Sequence, residues 1–307
     1  MKILAFAFCL LSLSLQVNAQ DDLLDILDDP DKKEETKYVT ATFKGTKIIN
    51  QQSCEIPGAG VMQFIILHRF GALNDDYIYN FFGLEQANTR FSLDYSFNDW
   101  LNVGLGRSSA SKTYDGFIKA KILRQSTGAK NMPISLVAYS SMNYNTTKWQ
   151  DDIPHYETDR LSYSFQLVMA RKFNDWLSLQ LVPSMVHYNL VDYIASSNDV
   201  FALGVGGRIK LTQRIAITGE YTMQLNPNEY LLNGELQPYK NSASIGVDIE
   251  TGGHVFQLHL TNSRAMADPE WMGKTPGTWG NGDIYLGFNI SRVFTIKKPK
   301  TAEEPQW

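Results

Sequence analysis

The sequence predicts an all-β fold: an antiparallel transmembrane β-barrel of about twelve strands, with short turns at one end and longer loops at the other. Three observations carry that expectation. The pentapeptide Phe97-Asn98-Asp99-Trp100-Leu101 returns as Phe173-Asn174-Asp175-Trp176-Leu177, and both copies sit between runs in which every second residue is apolar. The chain opens with the three parts of an export signal. The segments that join the alternating runs are by turns short and long.

Residues 1–19 read as a signal peptide, with Lys2, an apolar core from Ile3 to Leu15 and a small-residue exit at Val17-Asn18-Ala19. That core is shorter than the roughly 20 residues a membrane-spanning helix needs. Cys9 sits too early in the signal for lipidation, behind the bulky Phe8. Residues 20–36 form an acidic periplasmic leader, where Leu23, Leu24, Ile26 and Leu27 line one side of a turn before Pro30. Such a composition predicts an unfolded leader, with docking to a periplasmic partner as the alternative. Residues 37–56 are expected to form an N-terminal plug or capping segment, residues 57–296 the barrel, and residues 297–307, with Pro299 and Pro305, a periplasmic tail.

Alternation places the strands at Pro57 to Phe70, Asn88 to Phe97, Leu101 to Ser108, Tyr114 to Arg124, Met132 to Asn145, Asp159 to Phe173, Leu177 to Asn189, Asp199 to Leu211, Ile215 to Gln224, Asn241 to Ile249, His254 to Ser263 and Asp283 to Thr295. Phe91, Leu93, Tyr95 and Phe97 share one face before the first elbow, and Leu101, Val103 and Leu105 share it afterwards. Only an odd number of connecting residues keeps both sets on one side of the sheet, so each elbow is a three-residue loop. Leu211-Thr212-Gln213-Arg214-Ile215 repeats the geometry without the aromatic. Short connections also fall at Gln125 to Asn131 and around Thr251-Gly252-Gly253; Gly71 to Ala87, Thr146 to Thr158, Leu190 to Asn198, Leu225 to Lys240 and Arg264 to Gly282 are long. Ser109 to Thr113 is short where the pattern calls for length.

Counting Lys37 to Asn50 as a wall strand makes the strand number odd and puts the chain ends on opposite sides. The segment is therefore expected in or across the periplasmic mouth, Phe43 and Ile48 against the interior and Lys44 and Lys47 near carboxylates such as Asp94 or Asp248. A capping strand at the rim is the alternative.

The 307 residues carry a net charge of −4 and are 43% hydrophobic, with a mean hydropathy of −0.25. Low hydropathy does not exclude a membrane barrel, because lumen-facing polar residues alternate with lipid-facing apolar ones. Trp100, Trp176, Tyr77, Tyr79 and Phe294 lie near strand ends, as interfacial girdles require, and so favour a barrel over a soluble sandwich. After signal removal Cys54 is the only cysteine, which rules out an intramolecular disulfide and a Cys-based metal site. No basic stripe invites nucleic acid, and the expected partner is outer-membrane lipid.

If the apolar faces meet lipid, the opposite faces line the lumen with Arg90, Asp94, Asn102, Asp115, Lys119, Lys121, Gln166, Gln180, Arg208, Lys210, Arg214, Glu220, Asp248, Glu250, Asp283 and Asn289. Ions of both signs in a narrow interior must pair or be hydrated, so an interior salt-bridge network stands beside a selective lane for small solutes. Asp248 and Glu250 are spaced like a carboxylate pair at roughly 6.6 Å, but pairing with Arg or Lys explains them better. His68, His155, His187, His254 and His259 have no ligand spacing, so no metal and no cofactor is expected. His187 beside Ser184 is the nearest thing to a hydrolase nucleus, and their phases disagree. Gly104-Leu105-Gly106 and Gly204-Val205-Gly206-Gly207 interrupt strands with no following helix to bind phosphate; they mark bends or the close approach of another segment.

RQSTGAKNMP from Arg124, ARKFNDWLSLQL from Ala170, NDVFALGVGGRIKLT from Asn198, IETGGHVFQLHLTNS from Ile249, GNGDIYLGFNISRVF from Gly280 and YVTATFKGTKIIN from Tyr38 resemble segments of a family of exported bacterial β-barrel proteins classed as a domain of unknown function. The resemblance implies the barrel and assigns no catalytic or binding residue. The expected function is that of a bacterial outer-membrane barrel acting as a small-solute channel, not an enzyme. The alternatives are a structural or docking component and, further off, an outer-membrane hydrolase.

Overall fold

A computed structural model describes residues 35–74, 78–149, 152–193 and 195–297. The expected signal peptide, nearly all of the leader, Tyr77 and the tail after Lys297 lie outside the described residues.

Twelve antiparallel strands close into one barrel. They are β1 (Val61–Ala72), β2 (Asn88–Ser96), β3 (Leu101–Ser108), β4 (Thr113–Leu123), β5 (Ser135–Asn145), β6 (Leu161–Lys172), β7 (Leu177–Tyr188), β8 (Asp199–Lys210), β9 (Ile215–Gln224), β10 (Ser242–Thr251), β11 (His254–Thr261) and β12 (Tyr285–Thr295). Each pairs with its neighbours in sequence, and β12 closes on β1 from Gly287↔Arg69 to Thr295↔Val61. Strand β1 starts later than the alternation suggests, because Gly60 accepts from the amides of Ile296 and Lys297 at 2.9 and 3.0 Å and so ties the chain below the ladder. Strand β5 also starts later, since Met132 bridges Ser126 instead of joining the wall.

The three elbows share one device. Phe97, Phe173 and Leu211 donate to the carbonyls of Leu101, Leu177 and Ile215 at 3.0, 3.0 and 2.9 Å. Inside each loop the first side chain caps the turn. Asn98 Oδ1 accepts from Trp100 and Leu101, Asn174 Oδ1 from Trp176 and Leu177, and Thr212 Oγ1 from Arg214 and Ile215. Between β10 and β11 the loop shortens to Gly252-Gly253, with Thr251 paired to His254.

Alternation sets the two faces. Phe91, Leu93, Leu105, Ile118, Phe165, Leu181, Val205, Ile217 and Leu258 stand exposed on the outside, where lipid replaces water as their solvent. Trp100 and Trp176 lie exposed at the short-turn rim. Arg90, Asp94, Lys119, Gln180, Glu220 and Asn289 are buried on the inside. At the same rim Lys37–Tyr38 pairs with Ser126–Thr127, a two-residue capping contact outside the barrel ladder.

Candidate functional site

The lumen is filled from both ends. From the short-turn end residues 42–54 fold back as a hairpin, with Lys47 bridged to Gln52, Ile48 N donating to Gln51 O at 2.9 Å and Ser53 N to Thr46 O at 3.0 Å. Its apolar side, Phe43, Ile48, Ile49 and Cys54, packs on Val137, Val168, Ala170 and Val182 of the inner wall. Burial pushes the Cys54 thiol up to about 12, so it stays protonated and unreactive.

The hairpin tip is held through its backbone. The amides of Ile49, Asn50 and Gln51 converge on the Glu220 carboxyl group at 3.1, 2.8 and 3.0 Å. Successive N–H groups turned to one side make an anion nest, and here the anion is a wall side chain. The tip's outward-facing carbonyls are satisfied in the same way, Ile48 O by Gln257 Nε2 at 2.5 Å, Ile49 O by Asn289 Nδ2 at 3.0 Å and Gln52 O by Gln180 Nε2 at 2.9 Å. Nearer the mouth, Lys119 Nζ donates to Thr46 O at 2.9 Å, Arg208 Nη1 to Ala41 O at 3.1 Å, and Lys44 pairs with Glu250. A Cβ on Gly206 would lie 2.5 Å from Ile48 Cδ1, and one on Gly204 2.8 Å from Gln51 Nε2. These glycines leave the width that the hairpin fills.

From the long-loop end, the connection between β11 and β12 dips inward through a short helix, α1 (Asp268–Gly273). Trp271 and Met272 pack on Val186, Tyr188 and Val200, and Tyr188 Oη donates to Pro269 O at 2.5 Å. Asp268 accepts from Tyr139 Oη at 2.5 Å and from Trp271 Nε1 at 3.0 Å, and Lys47 Nζ of the hairpin reaches it at 3.5 Å. Burial alone would raise the Asp268 carboxyl group; Lys47, the Tyr139 hydroxyl, Arg90 and the Trp271 indole outweigh it and hold the group below the usual carboxylate range.

Among the residues marked as lumen-lining, Arg90 and Asp115 form a bidentate pair at 3.1 and 2.5 Å. Asp94, Asn102 and Lys119 border a cavity of about 10 Å³, room for about one water. Asp248 accepts from Gln257 Nε2 at 3.0 Å. Lys121, Lys210 and Glu250 lie half-buried toward the short-turn mouth. Two assignments are corrected. Arg214 sits exposed in an elbow, and Asp283 belongs to the long-loop end, where it accepts from Thr278 N at 2.9 Å and Asn74 Nδ2 at 3.0 Å. The lysine partners also change, since Lys44 meets Glu250 and Lys47 meets Asp268. Asp268 was missed because an irregular loop has no periodicity to assign it a face. Ser184 and His187 fall on opposite faces: Ser184 donates to Val182 O at 3.2 Å, whereas His187 Nδ1 meets Asp199 Oδ1 at 2.7 Å.

A family model described as a membrane bound beta barrel domain (DUF5777) matches residues 43–294, hairpin tip included. No curated protein matches the sequence. Two solved structures are similar in outline: the NanC porin, at 6% identity over 76% of this chain and 98% of that one with a TM-score of 0.48, and the COG4313 outer membrane channel from Pseudomonas putida F1, at 13% identity over 78% and 97% with a TM-score of 0.47.

Proposed function

The chain belongs to this membrane-bound β-barrel family, and on that premise we propose that it is a bacterial outer-membrane channel for small hydrophilic solutes, held shut by its own N-terminal hairpin. One observation carries the reading. The hairpin is bound to the wall largely by hydrogen bonds between wall side chains and its backbone. Water can replace each of those partners, so a wall that loses the hairpin becomes a hydrated lane, polar except where Val137, Val168, Ala170 and Val182 are uncovered. A barrel filled for stability alone does better with apolar packing, because buried polar groups add little net stability even when paired. Eight strands close on their own side chains and sixteen leave a channel; twelve lie between, and here residues 42–54 occupy the interior. The export signal expected at residues 1–19 and the closure of the last barrel strand on the first support the outer membrane as the location.

A docking or structural role is the second reading, favoured by the Lys47–Asp268 contact that joins the two fillings. Planar-bilayer recording separates them. The native chain is expected to be silent, and Glu220→Ala, which strands three tip amides, to show discrete openings. Silence in Glu220→Ala and in a chain lacking residues 20–52, both still folded, sinks the channel reading.

A further inference from the structure

A crevice of about 210 Å³ opens at the long-loop rim, between α1 and the ends of β4 to β7. Its charged donors are already engaged. Arg160 Nη1 donates to Asn145 O at 3.0 Å and Thr147 O at 2.6 Å, and Lys274 Nζ to Asp192 at 3.0 Å. Its acceptors are in the opposite condition. Asn143, 2% exposed, gives its Nδ2 to Ser141 Oγ at 3.0 Å and has no partner for Oδ1. Glu270 accepts from Thr113 Oγ1 at 3.0 Å through Oε1, while the buried Oε2 makes no well-aligned hydrogen bond, with the Ser111 hydroxyl close to the carboxyl group. Beside these two acceptors the crevice is lined by Leu161, Leu190, Ala265 and Pro269.

We propose that this crevice is a binding site for a small primary alkylammonium, whose nitrogen donates to Glu270 Oε2 and Asn143 Oδ1 and whose alkyl part lies along Leu161, Leu190, Ala265 and Pro269. The chemistry follows from what the site lacks. A carboxylate ligand would place a second negative charge beside Glu270, and the lining cations Arg160 and Lys274 already hold Asn145 O, Thr147 O and Asp192. A neutral alcohol satisfies one acceptor and leaves a buried carboxylate charge uncompensated, which is costly in a low-dielectric site. An ammonium supplies three donors and the missing charge at once. The site does not depend on whether the barrel conducts.

Acidity supports the same assignment. Burial pushes the Glu270 carboxyl group up to about 7, with Asp115 adding to the rise and the Ser111 and Thr113 hydroxyls and Lys274 opposing it. The other charged and titratable groups lining the crevice are Asp159 and Arg160 from the loop before β6 and Tyr188 from β7. An ammonium binds the ionised form, so affinity rises with pH through that value.

Calorimetric titration of the detergent-solubilised full chain tests the proposal with butylammonium, butan-1-ol and butanoate as probes. Butylammonium is expected to bind at pH 8 and at least tenfold more weakly at pH 5.5, with neither comparator binding. Glu270→Gln should lose both the binding and its pH dependence, and Asn143→Ala should weaken binding about tenfold without removing the pH dependence. Unboiled gel mobility checks that each variant is folded. No butylammonium binding by the native chain at pH 8, equal binding by folded Glu270→Gln, or comparable binding of either comparator overturns the assignment.

Discussion

Lys47 and Asp268 meet inside the barrel at 3.5 Å, although one belongs to a hairpin inserted from the short-turn end and the other to a loop inserted from the opposite end. Both side chains are nearly inaccessible. Tyr139, near the middle of β5, also donates to Asp268, so the two fillings and the wall share one carboxylate.

Breaking a buried pair by removing one partner leaves an uncompensated charge and costs about 3–5 kcal/mol, whereas removing both can be nearly neutral. Lys47→Met and Asp268→Asn are each expected to lower the urea midpoint of the barrel in lipid vesicles, and the double variant to recover much of the loss. Additive losses would show that the contact is incidental to holding the fillings together.

Two carboxyl groups on α1 titrate in opposite directions. Asp268 is held below its usual range despite its burial. A group whose folded pKa is lowered contributes stability that is present above its unfolded value near 3.9 and lost as pH falls through the folded one. Glu270 is pushed up to about 7. Ionising it opposes folding, so that cost is absent below its unfolded value near 4.3 and complete above 7. Glu270→Gln should therefore be more stable than the native chain at pH 8, by about 1–2 kcal/mol, and equal to it near pH 4. Asp268→Asn should be destabilised at pH 7 and converge on the native chain only in stronger acid. Urea midpoints measured from pH 3 to 8 check both curves, and a uniform offset for either variant contradicts the assignment.

The wall was legible because a two-residue period leaves no freedom. An elbow that places Phe97 and Leu101 on one face must hold an odd number of residues, and the paired hydrogen bond at 3.0 Å is the consequence. Chain parity likewise made Lys37 to Asn50 too many for the wall. The contacts of that segment were less legible. Glu220 and Arg90 were placed inward by phase alone, but phase does not distinguish a carboxylate facing an arginine from one facing three backbone amides. Asp268 and Glu270 lie where no period exists, so only the folded loop brings them to Lys47 and Thr113. The glycine clusters fell between these cases. Sequence showed that the strands continue through them; the hairpin supplies the reason at Gly204 and Gly206, whereas at Gly104 and Gly106 the wall side chains of Phe117, Asp94, Arg90 and Asp115 fill the space.

Gly206 offers a steric test of closure that leaves every charge in place. It lies on the inner face of β8, paired with Gln180 on β7 and Glu220 on β9. A Cβ there would come within 2.5 Å of Ile48 Cδ1 and 2.9 Å of Gln51 Oε1, so Gly206→Val forces both of these tip side chains to move. Valine suits a strand, and on the wall the added Cβ first meets the Gln180 side chain, at 3.2 Å, which must give by a few tenths of an ångström. The expected outcome is a barrel that still migrates faster unboiled than boiled but conducts in planar bilayers, whereas Val205→Leu on the lipid face stays silent. A folded Gly206→Val barrel that remains silent although proteolysis within residues 42–54 shows the tip displaced would mean that the wall closes without it, and the N-terminal hairpin would then be a strut and not a gate.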